Sequence, residues 1–299
     1  MRVTSSMMVR STLRDLSLGY QRLANTQEQL STGRALLRPS DDPTSAADAM
    51  NYRQLLRRNE QYVRANNDAQ GWLQTADSKL VSGLDQLVKV KELVVRGASS
   101  GSNADPVVRA AIAAEVSSIR EDLLSLANST FGHRPLFGGT AAAPAYDADG
   151  VYLGNDGPAS TIRRDVAPST ELTVNVIGPE VFGDGAEPAG NLFQVLARIE
   201  QAMIDGDVAG LDAEHANLDA AMARMSSATV EIGSRAARIE GIRSRASEDQ
   251  LALQTLLSEV EDVDIVEALI NVQAHENAYQ AALSAASKVV PVSLLDYLR

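Results

Sequence analysis

Both ends of this 299-residue chain repeat large apolar side chains at alternating steps of four and three. Near the N-terminus the series is Val9, Leu13, Leu16, Tyr20, Leu23, Gln27 and Leu30, with Gln27 its one polar member. Near the C-terminus it is Ile265, Leu269, Val272, Glu276, Tyr279, Leu283, Ala286 and Val290, interrupted by Glu276. Such steps average 3.5 residues, the seam of a helix that lies along another helix over its whole length. Two terminal helices alone make a marginal structure in water, because a single seam recovers poorly the entropy lost on ordering them. The ends are therefore expected to lie against helices, either each other's or those of neighbouring subunits.

The chain between the ends is mostly helical in pattern. The first helix is expected from about Thr4 to Thr32, with Gly33 as the residue that ends it. An irregular connector follows, Arg34 to Asp42, in which Pro39 keeps Arg38 out of helix. Asp42-Pro43 reads as the N-cap and first position of a second helix, with Asp41 and Asp42 both favoured by its dipole. That helix runs to about Gly97 on the seam Ala69, Leu73, Ala76, Leu80, Gly83, Leu87, Val90 and Val94. A rod of roughly 80 Å follows from 1.5 Å per residue, which predicts an elongated molecule rather than a compact enzyme. Asp105-Pro106 starts a third helix with Val108, Ile112, Val116, Ile119, Leu123 and Leu126 on its seam.

From Phe131 to Gly190 the helical period disappears and glycine and proline crowd in. The β-prone runs 151–153, 161–164 and 171–177, with Asp149-Gly150 as a turn signal, predict a small β-rich insert. Helix resumes at Asn191, pauses at Asp205-Gly-Asp207 and continues to Glu259. Asp264 and Glu267 then have capping-box spacing at the head of the terminal helix, which Pro291 closes. The expected division is nested: a terminal helical domain of 1–42 with 260–299, a long-helix bundle of 43–130 with 191–259, and the insert 131–190.

Little in the chain suggests chemistry. There is no cysteine, which excludes disulfides, thiolate catalysis and cysteine-bound zinc. A net charge of −12 without a basic run argues against nucleic acid and anionic membrane as partners. The start has no apolar core of signal-peptide length, so a cleaved secretory signal is not expected. No run approaches membrane-spanning length either. The histidines are His133, His215 and His275, and His275-Glu276 lacks the second histidine of a zinc-protease motif because Tyr279 stands in its place. Asp147-x-Asp149-Gly150 opens like a calcium loop, but Val151 and Pro158 occupy ligand positions, so a turn explains it better. Asp41-Asp42 is accounted for by helix capping, and Gly154 to Gly157 lacks the strand and helix of a phosphate loop. Trp72 reads as core or interface. The expectation is a protein that is not an enzyme, with no catalytic residue, cofactor or metal.

Several stretches together point to a family. Gln29-Leu-Ser-Thr-Gly-Arg34 followed by Arg38-Pro-Ser-Asp-Asp-Pro43 resembles the signature between the first two helices of bacterial flagellins, with Gly33, Pro39, Ser40, Asp41, Asp42 and Pro43 as its connector. Leu126-Ala-Asn-Ser129 with Phe131 to Gly139, Val174 to Gly178 and Val181-Phe-Gly183 resemble the junction branch of that family, and Glu261 to Asp264 and Ser293 to Leu298 resemble the family's C-terminal helix and end. Flagellins proper carry arginine-leucine-serine-serine-glycine and alanine-lysine-aspartate-aspartate segments. The sequence here has Gln29-Leu-Ser-Thr-Gly33 and Pro39-Ser-Asp-Asp-Pro43 instead, which favours the junction branch.

The resemblance implies a mainly α, elongated flagellin-like bundle or coiled coil with a small β-rich insert. It implies a structural subunit between hook and filament that leaves the cell unfolded by the flagellar type III route. Its partners would be further copies in a ring, the other hook–filament junction protein, flagellin, and an export chaperone on the C-terminal helix. The subunit interface would then be the terminal seams: Val9, Leu13, Leu16, Tyr20, Leu23 and Leu30 with Ile265, Leu269, Val272, Tyr279, Leu283 and Val290. The filament subunit itself, or a cytosolic coiled-coil scaffold, are the alternatives.

Overall fold

The computed structural model describes residues 5–99, 105–185 and 190–289. Its helices are α1 (Ser5–Thr32), α2 (Pro43–Ala98), α3 (Pro106–Ala127), α4 (Gly178–Phe182), α5 (Leu192–Asp205), α6 (Val208–Glu261) and α7 (Ile265–Val289). Its strands are β1 (Thr130–Phe131), β2 (Arg134–Pro135), β3 (Arg163–Ala167) and β4 (Thr170–Thr173). The chain forms two units, one of residues 1–58 with 249–299 and one of 59–248. No helix among the described residues is long and apolar enough to cross a membrane.

The helix boundaries follow from their end residues. Gly33 ends α1 at φ +71°, a left-handed conformation that costs glycine nothing. The Asp42 carboxylate accepts from the Thr44 and Ser45 amides and caps α2. Asp105 caps α3 through the Val107 amide. Asn191 and Gln194 form a reciprocal capping box on α5, a signal absent from the sequence reading. Gly206 ends α5 in the left-handed region, and Asp264 caps α7 through the Val266 and Glu267 amides.

In the unit 59–248 the expected seam of α2, from Ala69 to Val94, is buried. It shares one core with Ile112, Val116, Ile119 and Leu123 of α3, Leu196, Ile199 and Met203 of α5, and Leu211, Leu218, Met225, Ile232 and Ile239 of α6. Val108, expected on the seam of α3, is 38% exposed at the first turn of that helix. Trp72 is core, edge-on to Phe131 with ring centroids 5.7 Å apart.

The insert is less strand-like than its sequence suggests. The hairpin β1–β2 turns at Gly132 and His133, both at positive φ, with Phe131 paired to Arg134. The antiparallel pair β3–β4 is short and bulged between Asp165 and Ala167. The expected run 171–177 leaves the sheet after Thr173. The Asn175 side chain there takes over the pairing, accepting from the Ile162 amide at 2.6 Å and donating to the Ser160 carbonyl at 2.9 Å. The expected strand at 151–153 is reduced to a bridge between Tyr146 and Tyr152, closed by the turn at Asp149-Gly150. Phe137, Tyr146, Phe182 and Phe193 pack their rings together with centroids 5.0–5.6 Å apart, so aromatic packing rather than sheet holds this segment on the helical core.

Candidate assembly interface

The helices α1 and α7 lie side by side in the unit that contains both chain ends. They are antiparallel: Arg34 bridges Asp262 at one end, and Gly19 meets Tyr279 further along. The Tyr20 and Tyr279 rings are 6.0 Å apart and tilted by 52°.

The facing surfaces differ from the predicted seams in a regular way. On α1 the covered positions include Val9, Thr12, Leu16, Gly19, Leu23, Thr26 and Leu30, half-buried except for Leu23 and Thr26, which are buried, with Ala24 and Gln29 half-buried beside them. On α7 they are Ala268, Val272, His275, Tyr279, Ala282 and Ala286, of which Ala268 and Ala286 are buried. Apart from Ile265, both helices thus keep every seventh residue of the predicted series but pair it with the residue three steps on instead of four. Small or polar side chains occupy those inner positions, and the space they leave admits Tyr279 over Gly19, with 3.6 Å from its Cδ2 to where a Gly19 Cβ would stand.

The large residues of the predicted seams consequently point outward. Leu13 and Tyr20 are each 59% exposed, Leu269 is 56% and Leu283 is 44%. Ile265, at the first turn of α7, is 65% exposed, and Val266 and Ile270 add to the same helix's open apolar surface. Of the predicted seam residues, Val9, Leu16, Leu23, Leu30, Val272 and Tyr279 are thus half-buried or buried, while Leu13, Ile265, Leu269 and Leu283 are exposed. Tyr20 touches Tyr279 from the rim of the α1–α7 contact. Val290 and Pro291 lie outside the described residues.

The connector is fixed by short-range bonds. The Ala35 amide donates to Glu261 O at 2.8 Å, and the Val263 amide to Gly33 O at 3.0 Å. Gln29 Nε2 reaches Ala35 O, closing the end of α1 onto the connector. The Asp41 carboxylate accepts from the Arg38 amide at 3.0 Å, and Pro39 and Ser40 form the exposed turn between them. Asp42 also accepts from the Ser45 hydroxyl at 2.6 Å, and that bond, with those from the Ser45 and Thr44 amides, holds its carboxyl below the usual aspartate range. Both oxygens of the buried Glu261 carboxylate lie 2.7 Å from Arg53 Nη2, which ties the end of α6 to the first turns of α2. This pair spans 208 positions of sequence and carries no signal that sequence reasoning could have found.

The other candidate positions have structural roles. His275 is half-buried on the covered face of α7, His133 turns a hairpin, and His215 lies 3.5 Å from Asp219 one helical turn on. The Asp147 carboxylate accepts from the Asp149 and Val151 amides, so its loop is a turn that satisfies its own backbone. Burial raises the Tyr146 hydroxyl and pushes Tyr152 up to about 12, so both stay neutral over the physiological range.

Residues 3–142 match the bacterial flagellin N-terminal helical region, and residues 203–298 match the bacterial flagellin C-terminal helical region. The first match contains α1 to α3 with the β1–β2 hairpin, and the second contains α6 and α7. The chain belongs to the flagellin family. Flagellar hook-associated protein 3 of Escherichia coli is 27% identical over 99% of both chains. Flagellin of Bacillus subtilis is also 27% identical, but over 51% of this chain and 52% of its own. The crystal structure of Bacillus cereus FlgL shares the fold at a TM-score of 0.60 and 21% identity, over 70% of this chain and 99% of that one. The flagellin-family helices are therefore those that carry the outward apolar residues, while β3, β4 and α4 lie between the two matched regions.

Proposed function

We propose that this chain is the structural subunit that joins hook to filament in the bacterial flagellum, and that it assembles through its terminal helices. The observation that carries the mechanism is the double-faced character of α1 and α7. Their inner faces, in which Thr12, Gly19, Ala268 and Ala282 alternate with larger residues, are covered within the chain, while Leu13, Leu269 and Leu283 stay in water. Exposed leucines at heptad spacing lose apolar surface only when another subunit covers them, each contributing up to about 1.5–3 kcal/mol. The terminal helices gain most of their order at that moment, which couples folding to assembly.

Similarity along the full length of a hook-associated protein 3, against half the length of a flagellin, supports the junction over the filament body. In this reading a ring of copies contacts the other junction protein on the hook side and flagellin on the filament side. Before export a chaperone covers α7. The terminal domain of 1–42 with 260–299 forms the apolar polymer contacts, and the long-helix bundle (43–130 with 191–259) carries the insert (131–190). Neither a catalyst nor a cofactor has a part in it.

Deleting the gene tests the role. Hooks should remain, and flagellin should accumulate in the medium as monomer instead of filament. Electron microscopy of the cells, with an assay of flagellin in the supernatant, decides the matter. Full-length filaments on the mutant would rule out the junction role.

A further inference from the structure

The connector and the first turns of α2 form an open cleft of about 130 Å³ that the assembly seams do not use, with Arg34 and Arg38 exposed at its mouth. Leu36, Leu37 and the half-open side of Met50 line it with apolar surface, and Arg34, Arg38, Arg53 and Glu261 supply its charges. Three guanidiniums against one carboxylate is the reverse of the chain as a whole, in which 39 acidic residues face 27 basic ones. Glu261 is already committed, with both oxygens on Arg53. No ion pair among the described residues includes Arg34 or Arg38, although both emerge from backbone that is pinned in place. Arg34 sits at the bridge to Asp262, and Arg38 in the turn closed by Asp41.

We infer that this pocket receives an aspartate or glutamate side chain from a second copy of the chain. The argument is charge complementarity. Two copies with a net charge of −12 each repel on average, so close approach needs local sites of opposite sign. Two unpaired guanidiniums beside an apolar floor form such a site, since a planar guanidinium holds a carboxylate through two parallel hydrogen bonds, and more strongly where water is excluded. The inference rests on the junction-subunit reading and adds to it a polar contact that sets register between copies, distinct from the apolar seams that supply association.

The test uses the full chain in cells that lack their own copy. A photo-crosslinking amino acid replaces Met50, and crosslinks are mapped by mass spectrometry in isolated flagella. The expected product joins position 50 to an acidic peptide of a second copy. Arg34→Glu with Arg38→Glu should lower the amount of chain at the hook end at least tenfold, while Arg34→Lys with Arg38→Lys keeps most of it. Circular dichroism of the purified chains shows whether the glutamate variant is folded; if it is not, the crosslink and the lysine variant decide. Crosslinks only to another flagellar protein, only within one chain, or to a second copy at peptides without acid would overturn the inference. So would a glutamate variant that incorporates like wild type. In those cases the unaltered chain is still found at the hook end. If the unaltered chain itself is missing from that place, the junction reading fails, and the pocket inference with it.

Discussion

Single side chains decide where this chain stops being helix and what its connector tolerates. Asp42 accepts from the Thr44 amide, the Ser45 amide and the Ser45 hydroxyl, and these bonds depress its pKa. A carboxylate whose folded pKa lies below its unfolded value stabilises the fold above the unfolded value, and that contribution is lost as pH falls through the folded one. The protection of the Thr44 and Ser45 amides, taken relative to their intrinsic exchange rates, should therefore fall as pH drops below the ordinary aspartate range. Asp42→Asn, which keeps an acceptor but no charge, should lose that dependence; unchanged behaviour in the variant would assign the effect elsewhere. Gly150 is constrained differently. It sits at φ +77°, and a Cβ there would stand 2.5 Å from Phe193 Cβ. Gly150→Ala should lower stability by at least about 1–3 kcal/mol from backbone strain alone, read as a lower urea midpoint for the unit 59–248. An unchanged midpoint would mean that the aromatic cluster yields easily.

At the scale of elements, α1 and α7 pair through small residues, and Gly19 shows how close the match is. A methyl at this position would meet Tyr279 Cδ2 at 3.6 Å, an ordinary contact, and alanine favours helix over glycine by about 1 kcal/mol. Gly19→Ala should therefore slow amide exchange along α1, whereas Gly19→Leu needs the volume that Tyr279 fills and should speed it. Equal effects of the two would show that Tyr279 does not rest on α1. The same pairing explains what the sequence could and could not disclose. The long helices, the caps at Asp42, Asp105 and Asp264 and the buried seam of α2 were legible, because each rests on local spacing or on a run of large residues. The orientation of α1 and α7 was not. Steps of four to Leu13, Tyr20, Leu269 and Leu283 and steps of three to Thr12, Gly19, His275 and Ala282 fit the heptad equally well, and ranking by size chooses the face that the chain leaves open. The insert was overread as sheet because Val174 and Val176 are β-prone, yet both are buried in the core beside the bonds of Asn175 rather than in a strand. Arg53 and Glu261 meet only in three dimensions.

For the molecule as a whole, the outward residues support the proposal that other subunits complete the terminal helices. The chain's own core does not need Leu269 or Leu283, which are 56% and 44% exposed, and substitutions at such positions usually change stability by no more than about 0.5 kcal/mol. An assembled interface does need them, because a charge placed on a dry seam is costly. The direct measurement is incorporation of the Leu269→Asp, Leu283→Asp double variant in cells that lack their own copy. The purified variant should keep the circular dichroism and urea midpoint of the wild-type chain and should still be exported. It should be absent from hook ends, and the cells should bear hooks without filaments. Filaments of normal length on those cells, with the variant present at the hook end, would contradict the claim.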